Sequence, residues 1–161
     1  MTDQPPAVYL SHPPAALLRF ANPLLAAVLR TPLPFPMRDD MMVLTVTGRK
    51  TGRKYTIPLS AHFVDDALYA ITTAPWKYNF RDGATAQVLH NGKTTTMHGE
   101  LITDRDVVAD LLLRCSQSYG VRRAQSMIGV KFRDKRIPTL PEFTEAVTRD
   151  HFAAIRFTSS S

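Results

Sequence analysis

Apolar and polar side chains alternate through Val43, Leu44, Thr45, Val46 and Thr47, stop at Gly48, and resume at Tyr55, Ile57, Leu59, Ala61 and Phe63. A period of two marks a strand with one buried face, so the pattern predicts strands over about 42–47 and 54–64 joined by a hairpin. Pro58 marks an edge, a bulge or a strand end within the second. Asp65-Asp66 predicts a tight turn into a third strand, Leu68 to Thr73. The block Ala74 to Gly83 begins with proline and ends with glycine, the order expected of one short helix with Pro75 near its start. Asn91-Gly92 lies between two further runs, Thr85 to His90 and Lys93 to Ile102, and is the strongest hairpin signal in the chain.

The period then becomes helical. Thr103-Asp104-Arg105-Asp106 resembles a capping box with Asp in place of Glu, and Val107, Val108, Leu111, Leu112 and Cys115 recur at helical spacing until Tyr119-Gly120. Lys131 to Pro138 reads as a basic turn, Pro141 to Arg149 as a short helix, and Ala153 to Thr158 as a last strand that closes the sheet. At the other end, residues 1–13 form a polar, proline-rich loose leader without the pattern of a secretion signal. Residues 14–30 form an amphipathic helix, interrupted by Arg19, Asn22 and Pro23 and kinked at Pro23. It is too short and too mixed to span a bilayer, so it either packs on the domain or rests on a membrane surface. A proline-rich connector, 31–40, follows, and 159–161 is a frayed tail. Hairpin-joined strands with helices set around them describe one antiparallel, barrel-like α+β domain over 14–158, not a parallel nucleotide-binding sheet.

Composition narrows the function. The chain has 161 residues and a net charge of +6, which favours anionic partners without choosing among phosphorylated cofactors, anionic lipid and nucleic acid. Its single cysteine, Cys115, excludes an internal disulfide and, with no secretion signal, predicts a cytoplasmic protein, at the inner face of the membrane if 14–30 rests on lipid. His12, His62, His90, His98 and His151 lack metal-ligand spacing, so no metal is expected. There is no P-loop ending after Gly52 and no nucleophile elbow. The acidic pairs at 39–40 and 65–66 read as turn formers. Nucleic-acid binding is not expected, because the aromatics alternate into the core instead of interleaving with cations.

The hairpin loop carries the candidate chemistry. Gly48 and Gly52 permit a tight turn that gathers backbone amides, while Arg49, Lys50, Arg53 and Lys54 concentrate positive charge on one small patch. Its guest is a phosphate or a carboxylate; the alternative is a solvated hairpin tip.

Thr47-Gly-Arg-Lys-Thr-Gly52, followed by Pro58-Leu59, then Pro75-Trp76-x-x-Asn79-Phe80 and Gly83-Ala-x-x-x-Val88, resembles the deazaflavin-dependent nitroreductase family over about residues 14–115. The resemblance implies a split antiparallel β-barrel with an N-terminal helix and flanking helices. It also implies a site for coenzyme F420, with FMN as the alternative cofactor. The phosphate and glutamyl tail of F420 would lie against Arg49, Lys50, Thr51, Gly52, Arg53 and Lys54, and its ring in the barrel groove. Thr72 and Thr73 would hydrogen-bond the ring or pack a strand end, Trp76 would anchor the short helix or stack, and Asn79 would brace the loop. Tyr78 and Tyr119 are the phenols nominated as proton donors. The implied reaction is hydride transfer to an electron-poor small-molecule acceptor such as a quinone, an enone or a nitro compound. A non-catalytic binding protein for flavin, haem or a fatty acyl ligand is the alternative, and the family contains monomers and homodimers. The chain departs from the family at Tyr55, where a basic residue is usual, at the short Thr72 to Pro75 segment, and in keeping only Tyr119 of a tyrosine-rich segment.

Overall fold

The computed structural model describes residues 5–11, 40–48 and 50–159. The helix expected over 14–30, the connector up to residue 39 and Arg49 lie outside these residues. In chain order the elements are β1 (Val8–Leu10), β2 (Met41–Thr47), β3 (Lys54–Ser60), β4 (His62–Val64), β5 (Ala67–Thr72), a 3-10 helix (Pro75–Phe80), β6 (Ala84–His90) and β7 (Lys93–Ile102). They continue with α1 (Arg105–Tyr119), α2 (Val121–Ile128), β8 (Val130–Phe132), α3 (Leu140–Asp150) and β9 (Ala153–Ser159). They fall into two compact units: the described residues within 13–70, 74–101 and 155–161 carry most of the main sheet, and those within 1–12, 71–73 and 102–154 carry α1 to α3.

Seven strands form the main sheet in the order β3-β2-β6-β7-β9-β5-β4. The stretch expected as one strand over 54–64 is therefore two, and they stand at opposite edges. Ala61 alone separates them, and its N–H donates to the carbonyl of Asp40 at 2.8 Å. Pro58 is accommodated because β3 is an edge strand, where a missing N–H leaves no ladder bond unmade. The fold is mixed α+β, with an antiparallel sheet curled into a half-barrel: β3 and β4 meet through the chain and share no ladder. This is the coarse form of the split barrel expected from the sequence.

Alternation puts the core on the concave face. Met42, Leu44 and Val46 of β2, Ala86 and Val88 of β6, Leu68 and Ala70 of β5, and Ile155 and Phe157 of β9 form one buried cluster with Phe80. The ring of Phe80 is fully buried and packs edge-on against Phe157 at 5.7 Å and Trp76 at 6.3 Å. Burying one such side chain stabilises the fold by about 2–3 kcal/mol.

Outside the central strands, the described residues correct four expectations. Asp104, not Thr103, caps α1: its Oδ1 accepts from the N–H groups of Asp106 at 3.0 Å and Val107 at 3.1 Å. A complete capping box stands instead at α3, where Thr139 and Glu142 satisfy each other's backbone donors. Val8–Leu10, read as part of a loose leader, is β1, paired antiparallel with β8, which begins where a basic turn was expected. The backbone extends that pairing, Arg133 N–H donating to Ala7 at 3.0 Å and Ser11 N–H to Gly129 at 3.0 Å. Ser159, read with the frayed tail, ends β9.

Candidate functional site

A 3-10 helix repeats every three residues, so each third side chain lies in one row. Lys77 and Phe80 form the inward row and are both buried, 2% and 0% exposed. Trp76 and Asn79 form a second row, tied by a bond from Asn79 Nδ2 to the Trp76 carbonyl at 2.9 Å. Pro75, Tyr78 and Arg81 form the third row, and Tyr78 is 43% exposed. Two cations attend its ring: Arg81 Cζ stands 5.1 Å from the centroid and Lys77 Nζ 5.2 Å. Burial holds the Lys77 ammonium below the usual lysine range.

The hairpin tip is closed by its own hydrogen bonds. Gly48 N–H donates to the Arg53 carbonyl at 2.7 Å, Gly52 N–H to the Gly48 carbonyl at 2.9 Å, and Arg53 N–H to Thr51 Oγ1 at 3.2 Å. Those three amides are engaged within the loop, so the amide cradle anticipated for an anion does not form from them. Charge for a guest comes from side chains. The Tyr55 ring lies against Gly48 so closely that a Cβ there would stand 2.6 Å from Tyr55 Cε2, and the Tyr55 hydroxyl is 3.3 Å from Thr51 Oγ1.

Tip and helix together bound a cleft of about 980 Å³. Lys50, Thr51 and Lys54 line it from the hairpin, Tyr55 and Ile57 from β3, and Pro75, Trp76, Tyr78, Asn79 and Arg81 from the other side. Among the described residues that line it are three cations and no carboxylate. Like charges gathered beside aromatic walls raise the local potential and attract an anion that also carries a flat apolar body.

Of the residues singled out from the sequence, Lys50, Thr51, Lys54, Trp76, Tyr78 and Asn79 come together in this cleft. Gly52 and Arg53 belong to the tip but do not line it, and Arg49 is outside the described residues. Thr72 and Thr73 belong to the helical unit and are not among the lining residues. Tyr119 ends α1 in that unit, with the Arg123 guanidinium 4.8 Å from its ring centroid. Sequence reasoning passed over Tyr55, Ile57, Pro75 and Arg81. Strand alternation placed Tyr55 and Ile57 on one face, and the three-residue row from Pro75 through Tyr78 leads to Arg81.

Among the described residues, no group of three or more His, Cys, Asp or Glu is placed to hold a metal ion, and no helix is long and apolar enough to cross a membrane.

No family model matches the chain, and no curated protein matches it. One solved structure, titled a domain-swapped dimer, is similar over 88% of this chain and 98% of its own, at 12% identity and a TM-score of 0.45. Nothing about the site rests on that likeness.

Proposed function

We propose that this protein is a coenzyme F420-dependent oxidoreductase of the deazaflavin-dependent nitroreductase type, with the cleft between the hairpin tip and the 3-10 helix as its cofactor site. The carrying observation is the lining by the described residues: Lys50, Lys54 and Arg81 with no carboxylate among them, next to Tyr55, Trp76 and Tyr78. The residues present fit a cofactor with an anionic tail and a planar ring. Lys50, Lys54 and Arg81 would hold the tail through charge-assisted hydrogen bonds, and the three aromatics with Ile57 and Pro75 would bound the ring and exclude water. When bound and reduced, the deazaflavin supplies a hydride to an electron-poor acceptor such as a quinone, an enone or a nitro compound. The chain's part is binding, orientation and one proton, for which we nominate the hydroxyl of Tyr78, whose ring centroid lies 5.1 Å from Arg81 Cζ.

The test is a titration of the purified protein with F420 and with FMN, read by cofactor fluorescence and repeated at high salt. F420 is expected to bind more tightly than FMN, and salt to weaken it, because the tail is held electrostatically. A Lys50→Ala/Lys54→Ala variant should lose at least about tenfold in affinity. Salt-independent binding of either cofactor, or unchanged affinity in the variant, would remove the site. A flavin, haem or acyl ligand that co-purifies without turnover would favour the carrier reading.

A further inference from the structure

The hairpin tip stands clear of the core. Every residue from Lys50 to Thr56 is exposed, whereas Gly48 is buried. Little burial is therefore available to order the segment that carries two of the cleft's cations, and such a segment keeps one shape only if something local offsets the entropy of fixing it.

The two glycines of the tip serve different ends. Gly52 has a φ of 71°, the left-handed conformation that its turn demands. Gly48 is not among the residues of positive φ, so its backbone would admit a side chain. What excludes one is space: a Cβ there would stand 2.6 Å from Tyr55 Cε2, 3.3 Å from Tyr55 Cζ and 3.2 Å from Thr51 Oγ1. Tyr55 faces Val46 directly across the ladder, so its ring reaches Gly48 along the diagonal, a span that aromatic side chains cover on one face of a sheet.

The same tyrosine also reaches the turn. Its hydroxyl lies 3.3 Å from Thr51 Oγ1, and that oxygen accepts the Arg53 N–H at 3.2 Å. Thr51 follows Lys50 and Tyr55 follows Lys54. One link across the tip thus ties down the backbone beside each lysine, and both lysines line the cleft.

We propose that Tyr55 is a positioning residue of the cleft. Its ring on Gly48 and its hydroxyl on Thr51 hold the tip in one shape, so that Lys50 and Lys54 stand ready before an anion arrives and the guest need not supply the ordering. The ring is the larger part, because a hydrogen bond of 3.3 Å in an exposed position contributes little. The choice of F420 as guest rests on the cofactor reading; the pinning of the tip does not.

The experiment measures backbone order by NMR relaxation in the free full chain, and then F420 affinity by fluorescence at several salt concentrations. In the native protein the amides of Lys50 to Lys54 should be as ordered as those of β2. Tyr55→Ser should loosen them on the nanosecond scale, leave the amides of β2 and β6 in place, and weaken F420 about tenfold at an unchanged salt slope, since both lysines remain. Tyr55→Phe, which keeps the ring, should hold the tip and stay within roughly threefold of the native affinity. Gly48→Ala should loosen the tip with the tyrosine still present, because the added methyl displaces the ring. A tip that is mobile in the native protein, or that stays ordered in Tyr55→Ser, would overturn the proposal whatever F420 does; a loss of affinity with the tip still ordered would make the ring a direct contact of the cofactor instead. A tip that loosens in Tyr55→Ser, in a protein whose native form binds no F420, would uphold the pinning and remove the cofactor reading.

Discussion

The α-carbon of Gly99 lies under the ring of Phe80: a Cβ at position 99 would stand 2.6 Å from Phe80 Cδ1 and 3.0 Å from Ile155 Cγ2. The 3-10 helix seats on β7 because residue 99 has no side chain. Phe80 cannot tip away, since Trp76 and Phe157 hold it edge-on.

Gly99→Ala is therefore expected to cost about 2–3 kcal/mol by overpacking, and Phe80→Ala about 3–5 kcal/mol by cavity formation, both measured by urea unfolding. With the ring gone, the added methyl meets little, so the double variant should cost clearly less than the two singles together. Additive costs would show that the ring is not what Gly99 accommodates.

Within the cleft, charge and proton supply separate by substitution. Arg81→Ala should weaken F420 about tenfold and flatten the salt dependence of binding, because one of the three cations among the described lining residues is removed. Tyr78→Phe keeps the ring between Arg81 and Lys77 and removes only the hydroxyl, so affinity should hold while turnover falls about a hundredfold. A parallel loss of both in Tyr78→Phe would assign the hydroxyl to binding instead.

Two groups contribute to the acid limb of stability. His62 is 1% exposed, and burial pushes its imidazole down to about 4 from its ordinary 6.5, so the folded state binds its proton more weakly than the unfolded state. The stability it contributes is complete above pH 6.5 and is lost as pH falls toward 4, up to about 3 kcal/mol. Glu142 acts lower: its hydrogen bond from Arg136, at 2.8 Å, and then the one from the Thr139 backbone pull its carboxyl from 4.5 to about 2. Its contribution is present above pH 4.5 and disappears as pH falls through 2. Urea unfolding from pH 7 to 4 should show the first loss in the native protein and not in His62→Gln. An unchanged slope in that variant would assign the limb to other groups.

Cys115 is buried in α1, and burial pushes its thiol up to about 11. A disulfide reagent at neutral pH should leave it untouched in the folded protein and label it fully in urea. Labelling under native conditions should run only at the rate set by opening of the helical unit. Fast native labelling would mean that α1 is not packed as described.

Much of the sheet was readable because alternation, Asn91-Gly92 and Asp65-Asp66 are local signals, and β2, β5, β6, β7 and β9 stand close to where they place them. The break at Ala61 was not readable, since Tyr55 to Phe63 alternates without interruption and only pairing with two different neighbours splits it. β1 and β8 were missed for a related reason. Three residues each give too short a period to see, and they are strands because they pair across more than a hundred positions. Within α2, Val121, Ala124, Met127 and Ile128 keep helical spacing, but Gly120 and Gly129 bracket them so closely that the sequence pattern assigned the stretch no element. For the cleft, the basic hairpin and the Trp-x-x-Asn segment were legible as motifs. Their meeting was not, and neither was the role of Arg81, which follows from helix pitch rather than from charge alone.

The single-residue step at Ala61 also bears on how the sheet assembles. β3 finds β2 across a six-residue tip, and β4 finds β5 across two residues, so each margin of the sheet forms with its nearest neighbour in the chain. Joined back to back, these two short-range hairpins draw the far margins of the sheet together without a long loop having to be closed. Such local contacts favour rapid folding, with residues 41–72 acting as a unit that β6, β7 and β9 then span.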